Sequence, residues 1–181
     1  MIIFKFILKL ICAFFILFVV FIGVSLYYDN YDSKFYNIEI PKELSHLKKP
    51  INSFTVAQED SLRNLSFDNS KLLISGGNGN YVFYCWSKVK DKGHIFIRGF
   101  ELTQNIKLME VELPKRTKKK INFSRYENDA IEKLLISGTN IHEGTFGKFY
   151  PVRFELWFES FRTKKKMKLT EFQLLIDGWD R

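Results

Sequence analysis

The sequence predicts a mainly β protein of the β-rich α+β kind. An N-terminal transmembrane helix is followed by one antiparallel β-sandwich-like domain with a short helix. Three observations lead there. Residues 10–28 form an uncharged apolar run. From Lys71 onward, short apolar segments alternate with turn residues. Residues 150–159 and 167–176 alternate apolar and polar side chains with the period of two that marks half-buried strands.

Residues 1–9 read as a cytoplasmic N-terminus and residues 10–28 as a signal-anchor. At about 1.5 Å per residue that run makes a helix of roughly 28 Å, close to the hydrocarbon thickness of a bilayer. A cleaved signal peptide is the competing reading, since Lys5 and Lys9 precede the run and Gly23-Val24-Ser25 offers a small-residue cleavage site. The run is longer than an ordinary signal core, and Tyr27 and Tyr28 suit an interface, which favours an anchor. Lys5 and Lys9 before the run, against Asp29 and Asp32 after it, place the N-terminus in the cytoplasm. The expected location is therefore a bacterial inner membrane, crossed once, with the C-terminal domain in the periplasm. Cys12 follows Ile11 and lies inside the run, which does not fit a lipidated cysteine.

Thirteen of the 19 Phe residues lie beyond the anchor, so the exported part has the apolar content for a core. Its only cysteine is Cys85, within the apolar segment 81–86. No internal disulfide can form there, and a buried thiol is expected rather than an intermolecular bridge. Setting Lys5 and Lys9 aside leaves 26 basic against 20 acidic residues, an excess of six. Five basic residues fall within 115–120 and five within 162–168. Export makes nucleic acid an improbable partner for them. An acidic protein surface or anionic membrane fits better, and solvated hairpin turns are the bland alternative.

Residues 29–60 read as tether and entry segment, with Pro41 and Pro50 bracketing a polar loop, and residues 61–181 as the exported β-rich domain. Residues 72–74 lead into the glycine-rich turn 75–80, followed by a strand over 81–89. A loop at 90–93 should return that strand into its hairpin partner, 94–102, where Gly99 suggests a bulge or a close backbone approach. Ser124 and Glu127 fit a capping box, with Ala130, Ile131, Leu134 and Leu135 at helical spacing towards Gly138; residues 134–137 fit a strand equally well. Residues 150–159 and 167–176 form the clearest strand pair, with a basic turn between them. Trp179 is expected to pack back onto the sheet.

The sequence offers no motif for chemistry. His46, His94 and His142 are dispersed without metal-ligand spacing, and the 75–80 turn lacks the Lys-Ser/Thr of a phosphate-binding loop. His142 and Glu143 are adjacent within 141–147, where Gly144 and Gly147 favour a loop over an acid–base pair. A non-enzymatic protein without cofactor or metal is expected.

The stretches His94-Ile-Phe-Ile-Arg-Gly-Phe-Glu-Leu-Thr-Gln-Asn-Ile106, Ile141-His-Glu-Gly-Thr-Phe-Gly-Lys-Phe-Tyr-Pro-Val-Arg-Phe-Glu-Leu-Trp-Phe158 and Ile176-Asp-Gly-Trp-Asp-Arg181 resemble a family of small exported bacterial proteins. That family is associated with contact-dependent toxin-delivery loci. The resemblance implies an immunity partner that binds a delivered toxin; residues 130–137 depart from the family pattern. The residues expected to meet a protein partner are Lys118, Lys119, Lys120, Tyr150, Arg153 and Trp157, because Trp, Tyr and Arg dominate tight interfaces. The alternative is a structural envelope protein whose basic loops lie on anionic lipid.

Overall fold

In the computed structural model, residues 2–36, 38–65, 67–121 and 135–179 are described. The chain divides into two compact units, residues 1–37 and 38–181.

The first unit is one helix, α1 (Ile2–Tyr36). Every side chain described from 11 to 27 is exposed, including Phe14, Phe15, Leu17 and Phe21. Among the described residues, no helix is long and apolar enough to cross a membrane.

The second unit is mainly β, built from two antiparallel sheets. Its strands in chain order are β1 (Lys71–Gly77), β2 (Asn80–Trp86), β3 (Gly93–Glu101), β4 (Lys107–Leu108), β5 (Lys119–Ile121), β6 (Leu135–Asn140), β7 (Tyr150–Ser160) and β8 (Lys166–Ile176). The three-stranded sheet has the order β1-β2-β6. The five-stranded sheet has the order β4-β3-β7-β8, with β5 also paired to β3. The inner faces meet in the core, where the rings of Phe83 on β2 and Phe154 on β7 make a T-shaped contact at 5.1 Å. Val152, Phe154, Leu156 and Phe158 all point into this core.

The outer face of the three-stranded sheet is covered by α2 (Val56–Arg63). Thr55 and Gln58 close a reciprocal capping box at its start. Leu62 then packs on Tyr84 and Trp86, and the Tyr84 hydroxyl donates to Glu59 at 2.7 Å. A second short helix, α3 (Glu112–Arg116), sets Leu113 against β3. Gly99 makes that packing possible: a Cβ there would lie 3.0–3.2 Å from Phe154, Leu108 and Leu113. The glycine marks a close approach, and β3 keeps its register through it.

Two expectations are corrected. Residues 94–102 do not return onto the preceding strand: β2 pairs β1 and β6, whereas β3 pairs β4, β5 and β7. The 87–92 segment crosses between sheets because β2 is buried on both faces, with Tyr81, Phe83 and Cys85 inward and Tyr84 and Trp86 under α2. The expected helix from Ser124 to near Gly138 falls mostly on 122–134, outside the described residues; of the segment 134–137, which fits a strand equally well, residues 135–137 belong to strand β6. Trp179 is 40% exposed: its backbone lies against Gly79 in the β1–β2 turn and its N–H donates to Ile141, while its ring meets Phe146 of the 141–147 loop.

The entry segment belongs to the second unit. Leu175 N–H donates to Lys48 and Gly76 N–H to Ile51, so residues 48–51 strap the edge of β8 to the edge of β1. Cys85 is buried, and desolvation pushes its thiol up to about 12.

Candidate functional site

The outer face of the five-stranded sheet carries most of the residues singled out from sequence. Strand alternation sends Ile95, Ile97 and Gly99 inward and His94, Phe96, Arg98 and Phe100 outward. Opposite them on β7 stand Glu159, Trp157, Glu155 and Arg153. Two guanidinium groups lie on aromatic rings: Arg98 is 4.7 Å from the Trp157 ring centroid and Arg153 is 5.1 Å from that of Phe100.

Glu155 anchors this face. Its side chain is 6% exposed, which makes an uncompensated charge costly. The Trp157 indole donates to its Oε2 at 2.8 Å, Arg153 Nε lies 3.0 Å from Oε1 and Lys168 Nζ lies 3.6 Å away. The Arg153 contact is one of charge without hydrogen-bond alignment. A register shift between Leu156 and Trp157 brings Lys168 here. Lys168 and Glu171, three residues apart, would otherwise point to opposite faces; the bulge turns both outward, and Lys168 donates to Glu171 at 2.9 Å. That hydrogen bond raises the Lys168 pKa and lowers that of Glu171, holding both charged.

At the end of the face where β3 begins, the two basic clusters converge. Lys120 stands opposite His94, and Lys166 opposite Glu159. Lys118 Nζ and Lys166 Nζ lie 3.8 and 3.9 Å from the two Glu159 carboxylate oxygens. His94 packs edge-on against Phe161 at 4.6 Å, and Lys120 Nζ lies 5.8 Å from that ring. Desolvation, then the nearby Lys118, with Lys120 and Lys164 adding to it against Glu159, lowers the His94 pKa.

The structure thus unites Lys118, Lys120, Arg153 and Trp157 on one face. Lys119 stands opposite Ile95, whose side chain points into the core, and is exposed on the other side of the sheet edge. Tyr150 is corrected as a contact residue: it is 1% exposed, has the inward parity of Val152, and its hydroxyl donates to the Glu143 carbonyl oxygen. Sequence reasoning missed Arg98, Phe100 and Glu155. Arg98 lies two residues from Phe96 and from Phe100, the alternation that could have shown them to share a face.

The 141–147 segment is a loop, with Gly144 and Gly147 at φ +90° and +74°. Its Glu143 is buried and accepts from the Met109 N–H at 2.6 Å. Among the described residues, no group of three or more His, Cys, Asp or Glu side chains could hold a metal ion. Comparison of the chain with protein-family models, with curated proteins and with solved structures gives no match.

Proposed function

We propose that the chain is a membrane-anchored, periplasm-facing binding protein without enzymatic activity, which docks an acidic protein surface on the outer face of its five-stranded sheet. The observation that carries the reading is the pairing of stacked arginines with half-buried aromatics on one rigid sheet, centred on Arg98, Trp157, Glu155 and Arg153. Such groups are pre-ordered, so little side-chain entropy remains to be lost on docking. Lys118, Lys120, Lys166 and Lys168 surround them, which suits a partner of negative charge. The apolar, exposed side chains of α1 between 11 and 27 support anchoring of the run 10–28 in lipid.

Neutralisation of a delivered toxin is the specific role the sequence resemblance implies. The test delivers the product of a neighbouring toxin gene to the periplasm of cells carrying the wild type, an Arg98→Glu/Arg153→Glu variant or no copy. Protection by the wild type and its loss in the variant, at equal protein level, is expected. Equal killing in all three ends the immunity reading.

A second reading, a structural envelope protein resting on anionic lipid, has its own observation: Lys118, Lys120, Lys164 and Lys166 come together around His94 and Glu159. It expects residues 38–181 to sediment with phosphatidylglycerol vesicles at low salt and to be released by salt. Absence of sedimentation at low salt removes it.

A further inference from the structure

Away from the outer sheet face, beneath the strap that joins β8 to β1, lies a groove of about 450 Å³. That volume falls within the roughly 300–1,000 Å³ of small-molecule sites. Its walls are apolar: Leu47 and Phe54 from the strap side, Ile74 from β1, and Phe172 and Leu174 from β8. Ile74 and Leu174 are core residues, so the groove runs from the surface to the seam between the sheets. Phe172 has the inward parity of Leu174 yet is 36% exposed, an aromatic ring at the mouth rather than in the core.

The mouth is cationic. Lys48 and Lys49 line it and are exposed, and among the described residues no acidic side chain lines the groove. Lys49 Nζ lies 3.5 Å from the Phe149 ring centroid, which holds one positive charge in place. The Lys48 carbonyl accepts from Leu175, which fixes the backbone beneath the neighbouring charge. An apolar channel closed by cations at its rim is complementary to a molecule with a hydrocarbon tail and an anionic head.

We propose that this groove binds a single-chain anionic amphiphile, its acyl chain lying between Phe172 and Leu174 on one side and Phe54 and Ile74 on the other, its carboxylate or phosphate head at Lys48 and Lys49. The site lies apart from the centre of the docking face: of the described lining residues, Gln173, opposite Arg153 on β8, has the outward parity of that face, whereas Phe172 and Leu174 have the inward one.

The test uses the full chain in its own membranes with a diazirine-bearing long-chain fatty acid, followed by irradiation and peptide mapping. The expected result is labelling in 46–54 and 172–174 by the acid. Lys48→Glu/Lys49→Glu should reduce it by about fivefold, the size expected of two solvent-exposed ion pairs. Phe172→Asp should abolish it. The methyl ester of the same probe, which has the tail without the charge, should label these peptides as weakly as the doubly reversed variant. A lysophospholipid analogue carrying the same diazirine distinguishes a phosphate head from a carboxylate; stronger labelling by either identifies the head. Labelling confined to other segments overturns the proposal, as does labelling of these peptides equal for acid and ester. Because the wild-type map alone decides the location, a variant that fails to fold leaves the test intact.

Discussion

The hydroxyl of Tyr81 donates to the carboxylate of Asp177 at 2.6 Å, across 96 residues of sequence. Tyr81 lies on β2 of the three-stranded sheet and Asp177 directly follows β8 of the five-stranded one. Asp177 is fully buried, and its carboxylate also accepts from the backbone N–H groups of Gly79 and Gly147. The Asp177 N–H in turn donates to the Tyr81 oxygen at 2.9 Å. One phenol and one carboxylate thereby join two sheets, the β1–β2 turn and the 141–147 loop.

Tyr81→Phe removes a buried donor to a charged group and leaves the Asp177 N–H without its acceptor. The expected cost is about 1.5–3 kcal/mol. A lower urea midpoint with an unchanged slope would show it; a midpoint equal to the wild type would mean that the bond contributes nothing net.

Alkaline pH is expected to destabilise the fold. The Cys85 thiol titrates near 9.0 when unfolded but is held up to about 12 by burial in the native state. Between those values the folded chain keeps a proton that the unfolded chain has lost, so stability falls as pH rises. Burial, followed by the Asp177 hydrogen bond, also raises the Tyr81 pKa and adds to the loss above pH 10.0. Cys85→Ala should show a shallower decline between pH 9 and 12 in denaturant titrations. An unchanged profile would assign the loss to the tyrosines.

Trp157 and Glu155 should be energetically coupled through the indole-to-carboxylate hydrogen bond. Trp157→Phe is expected to cost about 1–2 kcal/mol, less in a Glu155→Gln background, where the carboxylate to be compensated is gone. Additive effects in that double-mutant cycle would show that Arg153 and Lys168 alone satisfy the buried charge.

His94 reports on the convergence of the lysine loops. Reversing Lys118 and Lys120 to glutamate replaces charges that oppose its protonation with charges that favour it. The imidazole pKa, followed by NMR, should therefore rise. A titration curve that does not move would place the loops too far from the ring to act on it.

Much of the second unit was legible from local pattern. The β7–β8 pair was visible in Val152, Phe154, Leu156 and Phe158 because one inward face leaves a period of two. Gly99 was legible as a bulge or a close approach, and the packing of Phe154, Leu108 and Leu113 around it decides for the close approach. The partner of β2 was not legible. A strand buried on both faces loses its alternation, and nothing in residues 81–86 says which neighbour supplies which face. At the candidate site, Trp157 and Arg153 were found by type, whereas Glu155 was hidden because a buried carboxylate looks like any other outward polar residue in an alternating strand. Tyr150 misled for the converse reason, its type suiting an interface while its parity sent it inward.

The strand orders β1-β2-β6 and β4-β3-β7-β8 interleave along the chain. Among the described residues, the polypeptide starts one sheet, leaves it to lay down three strands of the other, comes back for β6 and departs again for β7 and β8. Neither sheet is a separable module, and a cut anywhere between Trp86 and Leu135 strands part of the three-stranded sheet from its third member. For a chain threaded from its N-terminus through a translocation pore, the hairpin β1–β2 would emerge early with an unpaired edge at β2. It would have to wait for β6, and then for Asp177, before Tyr81 acquires its acceptor. The interval between those arrivals is when that edge stays open to other strands, and it is set by topology rather than by any single contact.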